Sequence, residues 1–222
     1  MLLTRRLENA DPMFIAWSSY PAAGMPARMA RAGFDAVVVD MQHGMSITAD
    51  RAIACLQAIS TTDTMPMVRM SWNDPKDIQF VLDAGAYGII VPLVNTSEDA
   101  TRAAGAARYM PVGFRSIGPN RARFYAGADY FQHANEEILV LVMIETIEAV
   151  GNLEEIAKVP GIDGFYIGPG DLAISLGLAP GLDAANDPRH QAACKRVIDV
   201  ANATGLVPCH HGGSPEAAAL LF

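Results

Sequence analysis

The stretches ILVLVMIE (138–145) and GFYIGPGD (164–171) decide the fold. Each is a short apolar run that ends on an acid, and neither alternates polar with apolar residues along its length. Continuous apolar runs of this kind are what parallel strands look like when both faces of their sheet are covered. Working outward, the pattern recurs in FIAWSS (14–19), FDAVVVD (34–40), MPMVRM (65–70), GIIVPLV (88–94) and GLVPCHH (205–211). Helical patterns fill the intervals. TADRAIACLQAIS opens with Thr48 as cap and puts Ile53, Leu56 and Ile59 on one face. DPKDIQFVLDAGA has Asp74 as cap, Pro75 at the first helical position and Gly85 as stop. TIEAVGNLEEIAKVPG and DPRHQAACKRVIDVANATG repeat the scheme.

Such a β-then-α alternation leaves two architectures, an open doubly wound sheet and a (β/α)8 barrel. An open sheet gathers its functional groups where the strand order reverses. Here nearly every run ends in a polar or glycine-rich sequence: Asp40 and His43, Arg69, Glu145, Gly168 to Asp171, and His210 with His211. A ring of contributing strand ends predicts the α/β fold of a (β/α)8 TIM barrel. Only seven strands are read, and SPEAAALLF (214–222) resembles the start of the helix after the seventh. A seven-stranded ring would leave two parallel edges open. The expectation is therefore one barrel domain over 1–222, C-terminally incomplete, with the eighth strand and final helix absent from the 222 residues. The long segment MPVGFRSIGPNRARFYAGADYFQHAN (110–135) fits neither label and reads as a functional or neighbour-engaging loop.

Bulk properties narrow the class. A chain of 222 residues, if it forms one domain, can bury roughly 70 to 75% of its unfolded surface, so core supply is not limiting. The net charge of −8, with no basic run interleaved with aromatics, argues against nucleic acid as a partner. Cys55, Cys194 and Cys209 lack metal-ligand spacing and are odd in number, so reduced core or pocket thiols are expected. MLLTRRLENADP reaches acid and proline before any signal-peptide core, and no window approaches the roughly 18 apolar residues of a membrane span. A cytoplasmic location without membrane attachment is the default.

The polar strand ends suggest chemistry. Glu145 and Asp171 lie one β/α unit apart, so in a barrel both carboxylates project into one mouth. Two carboxylates with water and substrate oxygens form a six-coordinate oxygen site for a divalent cation such as Mg2+ or Mn2+. The structural alternative makes Asp171 a cap and pairs Glu145 with an arginine. Gly168, Pro169 and Gly170 form a turn whose backbone amides can grip a substrate carboxylate, a weak signal alone that gains meaning beside a metal. Arg69 can stabilise an enolate oxyanion, or simply pair with Asp40 or Asp83. His43 can take or return a proton, with Asp40 or Asp83 fixing its tautomer.

These segments resemble the class II pyruvate aldolases of the hydroxy-oxoheptanedioate aldolase/citrate lyase β-subunit superfamily. The resemblance runs from about Phe14 to the C-terminus through FDAVVVDMQHG, VRMSWNDP, LDAGAYGIIVPLV, RYMPVGFRSIGPNRA and VMIETIEAVGNLEEIAKVPGIDGFYIGPGDLAISLG. It implies a metal at Glu145 and Asp171 (Mg2+, Mn2+ or Co2+), enolate stabilisation by Arg69 and acid/base work by His43. It also implies a barrel whose last helix is exchanged between subunits, commonly in a homohexamer built as a trimer of dimers. Departures are visible: Gln42 stands where many members have Glu, and Phe14 where many have Trp, with Trp17 nearby. His210 and His211 occupy a strand end often smaller or more apolar in the family. Phe14, Trp17, His210 and His211 are accordingly expected at the substrate pocket. The expected activity is reversible cleavage of a 2-oxo-4-hydroxy acid to pyruvate or hydroxypyruvate and an aldehyde. Lyase action on a CoA thioester, or a non-catalytic subunit that binds 2-oxo acids, are the alternatives.

Overall fold

The computed structural model describes residues 13–212. Seven strands, β1 (Ile15–Ser18), β2 (Ala36–Asp40), β3 (Met65–Arg69), β4 (Gly88–Val91), β5 (Leu139–Ile144), β6 (Gly164–Ile167) and β7 (Val207–His210), lie side by side in chain order. Each neighbouring pair is parallel. Strands β2 to β6 are buried throughout their length, which is why their sequences are continuously apolar. Each fully buried Val, Leu or Ile in them contributes about 1.5–3 kcal/mol.

The sheet curls. Ile15, Ala36, Met67, Leu141, Val207 and Cys209, from five different strands, line one apolar space on its concave side. Glycine makes room there: a Cβ on Gly88 would stand 2.8 Å from Met67, and one on Gly164 2.8 Å from Leu141. The outermost strands, β1 and β7, are the least buried. The predicted parallel α/β architecture is thus present as a curled seven-stranded sheet with helices outside. The segment SPEAAALLF lies outside the described residues.

The helices are α1 (Gly24–Arg31), α2 (Ala49–Ile59), α3 (Pro75–Asp83), α4 (Ser97–Ala107), α5 (Ala122–Ala126), α6 (Tyr130–Glu137), α7 (Ile147–Gly151), α8 (Leu153–Ala157), α9 (Pro169–Ser175), α10 (Leu182–Ala185) and α11 (Pro188–Thr204). Helix α3 starts as read, with Asp74 accepting the Lys76 amide at 2.8 Å and Pro75 opening the first turn. Thr48 occupies the cap position of α2, but its hydroxyl bonds Asp50 and not the helix backbone. The helix read over 146–161 is broken into α7 and α8 at Asn152, whose side chain bonds the Asn95 carbonyl.

Segment 110–135 is more ordered than a loop. It contains α5 and the start of α6, and it is anchored by Arg115, which is buried, pairs with Asp83 at 2.7 Å and stacks on Tyr109 and Tyr130. Because α3 runs back from the end of β3 to the start of β4, Asp83 and this anchor lie at the N-terminal end of the strands.

Candidate active site

The C-terminal ends of the strands hold the polar constellation. Asp40 closes β2 and stands in register with Arg69, which closes β3. Both are buried. Arg69 Nε donates to Asp40 Oδ1 at 2.9 Å, and Arg69 Nη2 donates to Oδ2. The indole N–H of Trp17 reaches the same Oδ2 at 3.0 Å, and the guanidinium lies 4.9 Å from the Trp17 ring centroid. Burial alone would raise the Asp40 carboxyl, but the bonds from Arg69, from the His43 amide and from Trp17 outweigh it and hold the group below its ordinary value.

Asp40 also builds the loop that carries His43. Its Oδ1 accepts the backbone N–H groups of Gln42 and His43, both at 3.0 Å. The turn is tight enough that a Cβ on Gly44 would stand 2.0 Å from the Asp40 carbonyl oxygen. His43 is exposed at the rim, and its ring makes no hydrogen bond among the described residues. Asp40 therefore does not fix the tautomer of His43 as expected; its oxygens are saturated by Arg69, Trp17 and two amides, so it orients the arginine and the loop. Within this chain Asp83 is not brought near His43: it ends α3 and pairs with Arg115 at the N-terminal end of the strands.

Glu145 follows β5 and is buried. Its Oε1 accepts the Leu93 amide at 2.7 Å. Leu93 presents that amide from a left-handed backbone, φ 51, an uncommon conformation for a leucine. Glu145 Oε2 has no hydrogen-bond partner among the described residues and rests over Gly168, where an added Cβ would stand 2.4 Å from it. Asp171 sits in the first turn of α9, beyond the strand where it was read, and is exposed. Burial, opposed by the Leu93 amide, and the Asp171 charge, opposed by Arg69, leave the Glu145 carboxyl above its ordinary value. Glu145, Asp171 and Arg69 thus share one electrostatic neighbourhood. Two carboxylates, one with a free oxygen above a glycine that leaves it room, suit a hard divalent cation that keeps most of its positions for water and substrate. Among the described residues, no cluster of three or more His, Cys, Asp or Glu side chains competes with this pair.

The remaining expected pocket residues divide. Trp17 and His211 meet edge to face at 4.8 Å, so both belong to the mouth. Phe14 does not. It stands before β1, its backbone bonded to Asp35 at the N-terminal end of the strands, and the residue is 53% exposed. His210 is likewise corrected: it alternates with Cys209 and His211 along β7, and its nearest titratable neighbours include His190 of α11 on the outer side. Gly168 caps α9, and Pro169 opens it.

Three further residues hold the site. Tyr166 shares the inward parity of Gly168, a signal that period-two counting supplies. Leu93 and His190 carry no such signal; His190, buried in α11, bonds the Pro169 carbonyl at 3.0 Å and braces the turn from behind.

Residues 13–210 match the HpcH/HpaI aldolase/citrate lyase family. A hydroxypyruvate/pyruvate aldolase of Rhizorhabdus wittichii is 42% identical over 205 residues, covering 91% of this chain and 81% of that protein. A 4-hydroxy-2-oxo-heptane-1,7-dioate aldolase of Salmonella dublin is 36% identical over 208 residues, covering 91% and 76%. The crystal structure of an HpcH/HpaI aldolase/citrate lyase family protein from Burkholderia cenocepacia J2315 superposes with a TM-score of 0.89 at 29% identity, covering 99% of this chain and 87% of that one. The sequence match across all seven described strands and the shared fold lead to one conclusion: this chain belongs to the HpcH/HpaI aldolase/citrate lyase family.

Proposed function

We propose that the chain is a divalent-metal-dependent carbon–carbon lyase that reversibly cleaves 2-oxo-4-hydroxy acids to pyruvate, or hydroxypyruvate, and an aldehyde. The observation that carries this reading is the buried Glu145 carboxylate after β5, with one oxygen on the Leu93 amide and the other left room by Gly168, where Asp171 and Arg69 act on its charge. The aldolase names of relatives at 42% and 36% identity support it.

In this reading Glu145 and Asp171 would hold Mg2+, Mn2+ or Co2+, which when bound would supply Lewis-acid polarisation of the 2-oxo group. The backbone amides of Gly170 and Asp171, in the turn after Gly168 and Pro169, receive the substrate carboxylate. His43 Nδ1 or Nε2 takes the proton of the 4-hydroxyl. The C3–C4 bond then breaks, the aldehyde leaves, and the electron pair moves onto the 2-oxo oxygen as the enolate forms. Arg69 faces that developing negative charge, and Asp40 keeps the guanidinium in place by two hydrogen bonds. Return of a proton to C3 yields pyruvate. Trp17 walls the mouth beside Arg69.

We further propose that the curled sheet is part of a (β/α)8 barrel forming one aldolase domain, that the protein assembles as a homohexamer arranged as a trimer of dimers, and that it works in the cytoplasm. Among the described residues no helix is long and apolar enough to cross a membrane. Incubation with a 4-hydroxy-2-oxo acid and Mg2+ or Mn2+ is expected to release pyruvate and aldehyde in equal amounts. Full cleavage in the presence of excess chelator would contradict the reading.

A further inference from the structure

We infer that His211, held by Tyr166, is a specificity-determining residue that binds a hydroxyl on the carbon next to a reacting carbonyl, so that the chain favours hydroxylated over unsubstituted substrates. The inference rests on the aldolase reading above and deepens it.

The inward parity of β7 runs through Val207 and Cys209, which line the interior, to His211 just past the strand. The His211 amide stays bonded to the Ile167 carbonyl at 3.2 Å, so the position is held by the sheet. Its ring packs edge to face on Trp17 at 4.8 Å, and the same indole carries the Arg69 guanidinium at 4.9 Å. His211 is therefore one aromatic ring away from the group proposed to face the enolate. Tyr166, buried on β6, places its hydroxyl 3.2 Å from His211 Nδ1. Burial and the Arg69 charge together keep the imidazole below its ordinary pKa, favouring the neutral ring.

A neutral imidazole has one donor and one acceptor nitrogen. With Nδ1 engaged by Tyr166, Nε2 is left to make one further bond, and it has no partner among the described residues. If Tyr166 donates to Nδ1, Nε2 is a donor; if Tyr166 accepts, Nε2 is an acceptor. A hydroxyl answers both cases, whereas a methyl or methylene group leaves the half-buried nitrogen unpaired. Sites built to bond a hydroxyl reject the analogue lacking it more strongly than apolar pockets reject an added one. The hydroxyl can belong to the aldehyde or to the 2-oxo acid.

The test uses the full chain with Mn2+ and takes condensation of pyruvate with acetaldehyde as the reference. One arm replaces acetaldehyde by glycolaldehyde, and the other replaces pyruvate by hydroxypyruvate. The quantity read is kcat/KM for each hydroxylated substrate relative to the reference. In at least one arm, which identifies the carrier of the hydroxyl, His211→Leu is expected to lower this ratio about tenfold, the discrimination of one hydrogen bond. His211→Gln, which keeps an amide near the Nε2 position, is expected to retain most of it. Ratios unchanged by His211→Leu, or lowered equally by Leu and Gln, would overturn the inference while leaving the aldolase reading intact. No metal-dependent condensation in the unsubstituted protein would overturn that reading and this inference with it.

Discussion

Asp40 and Arg69 are register partners at the ends of β2 and β3, and their side chains are bonded to each other through both carboxylate oxygens. The pair is buried, yet every acceptor position of the carboxylate is used: Trp17 and the amides of Gln42 and His43 complete the set. One aspartate thereby fixes the arginine, the tryptophan and the loop of the histidine. Such a pair is costly to break from one side, because the remaining charge is stranded.

Asp40→Ala is expected to lower unfolding free energy by about 3 kcal/mol or more and to reduce activity beyond what the stability loss explains. The pair also makes an acid-sensitivity prediction. The folded-state pKa of Asp40 lies below its ordinary 3.8, so its stabilisation is present above 3.8 and is lost as pH falls through the folded value. Thermal melts taken from neutral into strongly acidic pH should show a steeper acid loss for the native protein than for Asp40→Asn. Parallel profiles would contradict this.

Glu145 has the opposite sign. Its folded-state pKa lies above the ordinary 4.5, so the cost of burying its charge is absent below 4.5 and grows as pH rises through the folded value. Metal-free Glu145→Gln should therefore melt higher than the metal-free native protein at neutral pH. Added Mn2+ should raise the melting temperature of the native protein and leave the variant unmoved.

Gly168→Ala tests the cradle beneath Glu145. The new methyl would stand 2.4 Å from Oε2 and 2.9 Å from the Glu145 Cβ, so the carboxylate must move. Metal affinity measured by calorimetry should fall about 10- to 100-fold, the scale of a disturbed supporting group. Unchanged affinity would mean that Oε2 is not a ligand atom.

The two aromatic candidates at the first strand should separate. Trp17 bonds Asp40 and stacks on Arg69, so Trp17→Ala is expected to cost on the order of tenfold or more in kcat/KM. Phe14 lies at the far end of the strand, and Phe14→Ala should stay within about twofold. The reverse order would place the pocket elsewhere.

Strand identity was legible because burial on both faces forces continuous apolar runs, and the polar ends of β2, β3 and β5 follow directly. Parity along a strand was equally available: Trp17 and Tyr166 fall on the inward face, whereas His210 falls outside. Phe14 was misplaced because a strand's two ends are some three residues apart in sequence but at opposite ends of the sheet. Asp83 lies apart from His43 within the chain for the related reason that a helix carries its last residue back to the starting end. Leu93 was invisible, since only its backbone amide acts, through a φ that no residue type announces. The 110–135 segment hid α5 and α6 because its anchor, Arg115, pairs with residues brought near only by folding.

A cation held between Glu145 and Asp171 is proposed to make the pyruvate carbanion accessible in water. Exchange of the pyruvate methyl protons for deuterium, followed by proton NMR without any aldehyde, reads that step alone. Exchange should require Mg2+, Mn2+ or Co2+, stop on chelation, and be lost in Glu145→Gln and Asp171→Asn. Exchange that continues undiminished in chelator, or in both variants, would contradict it.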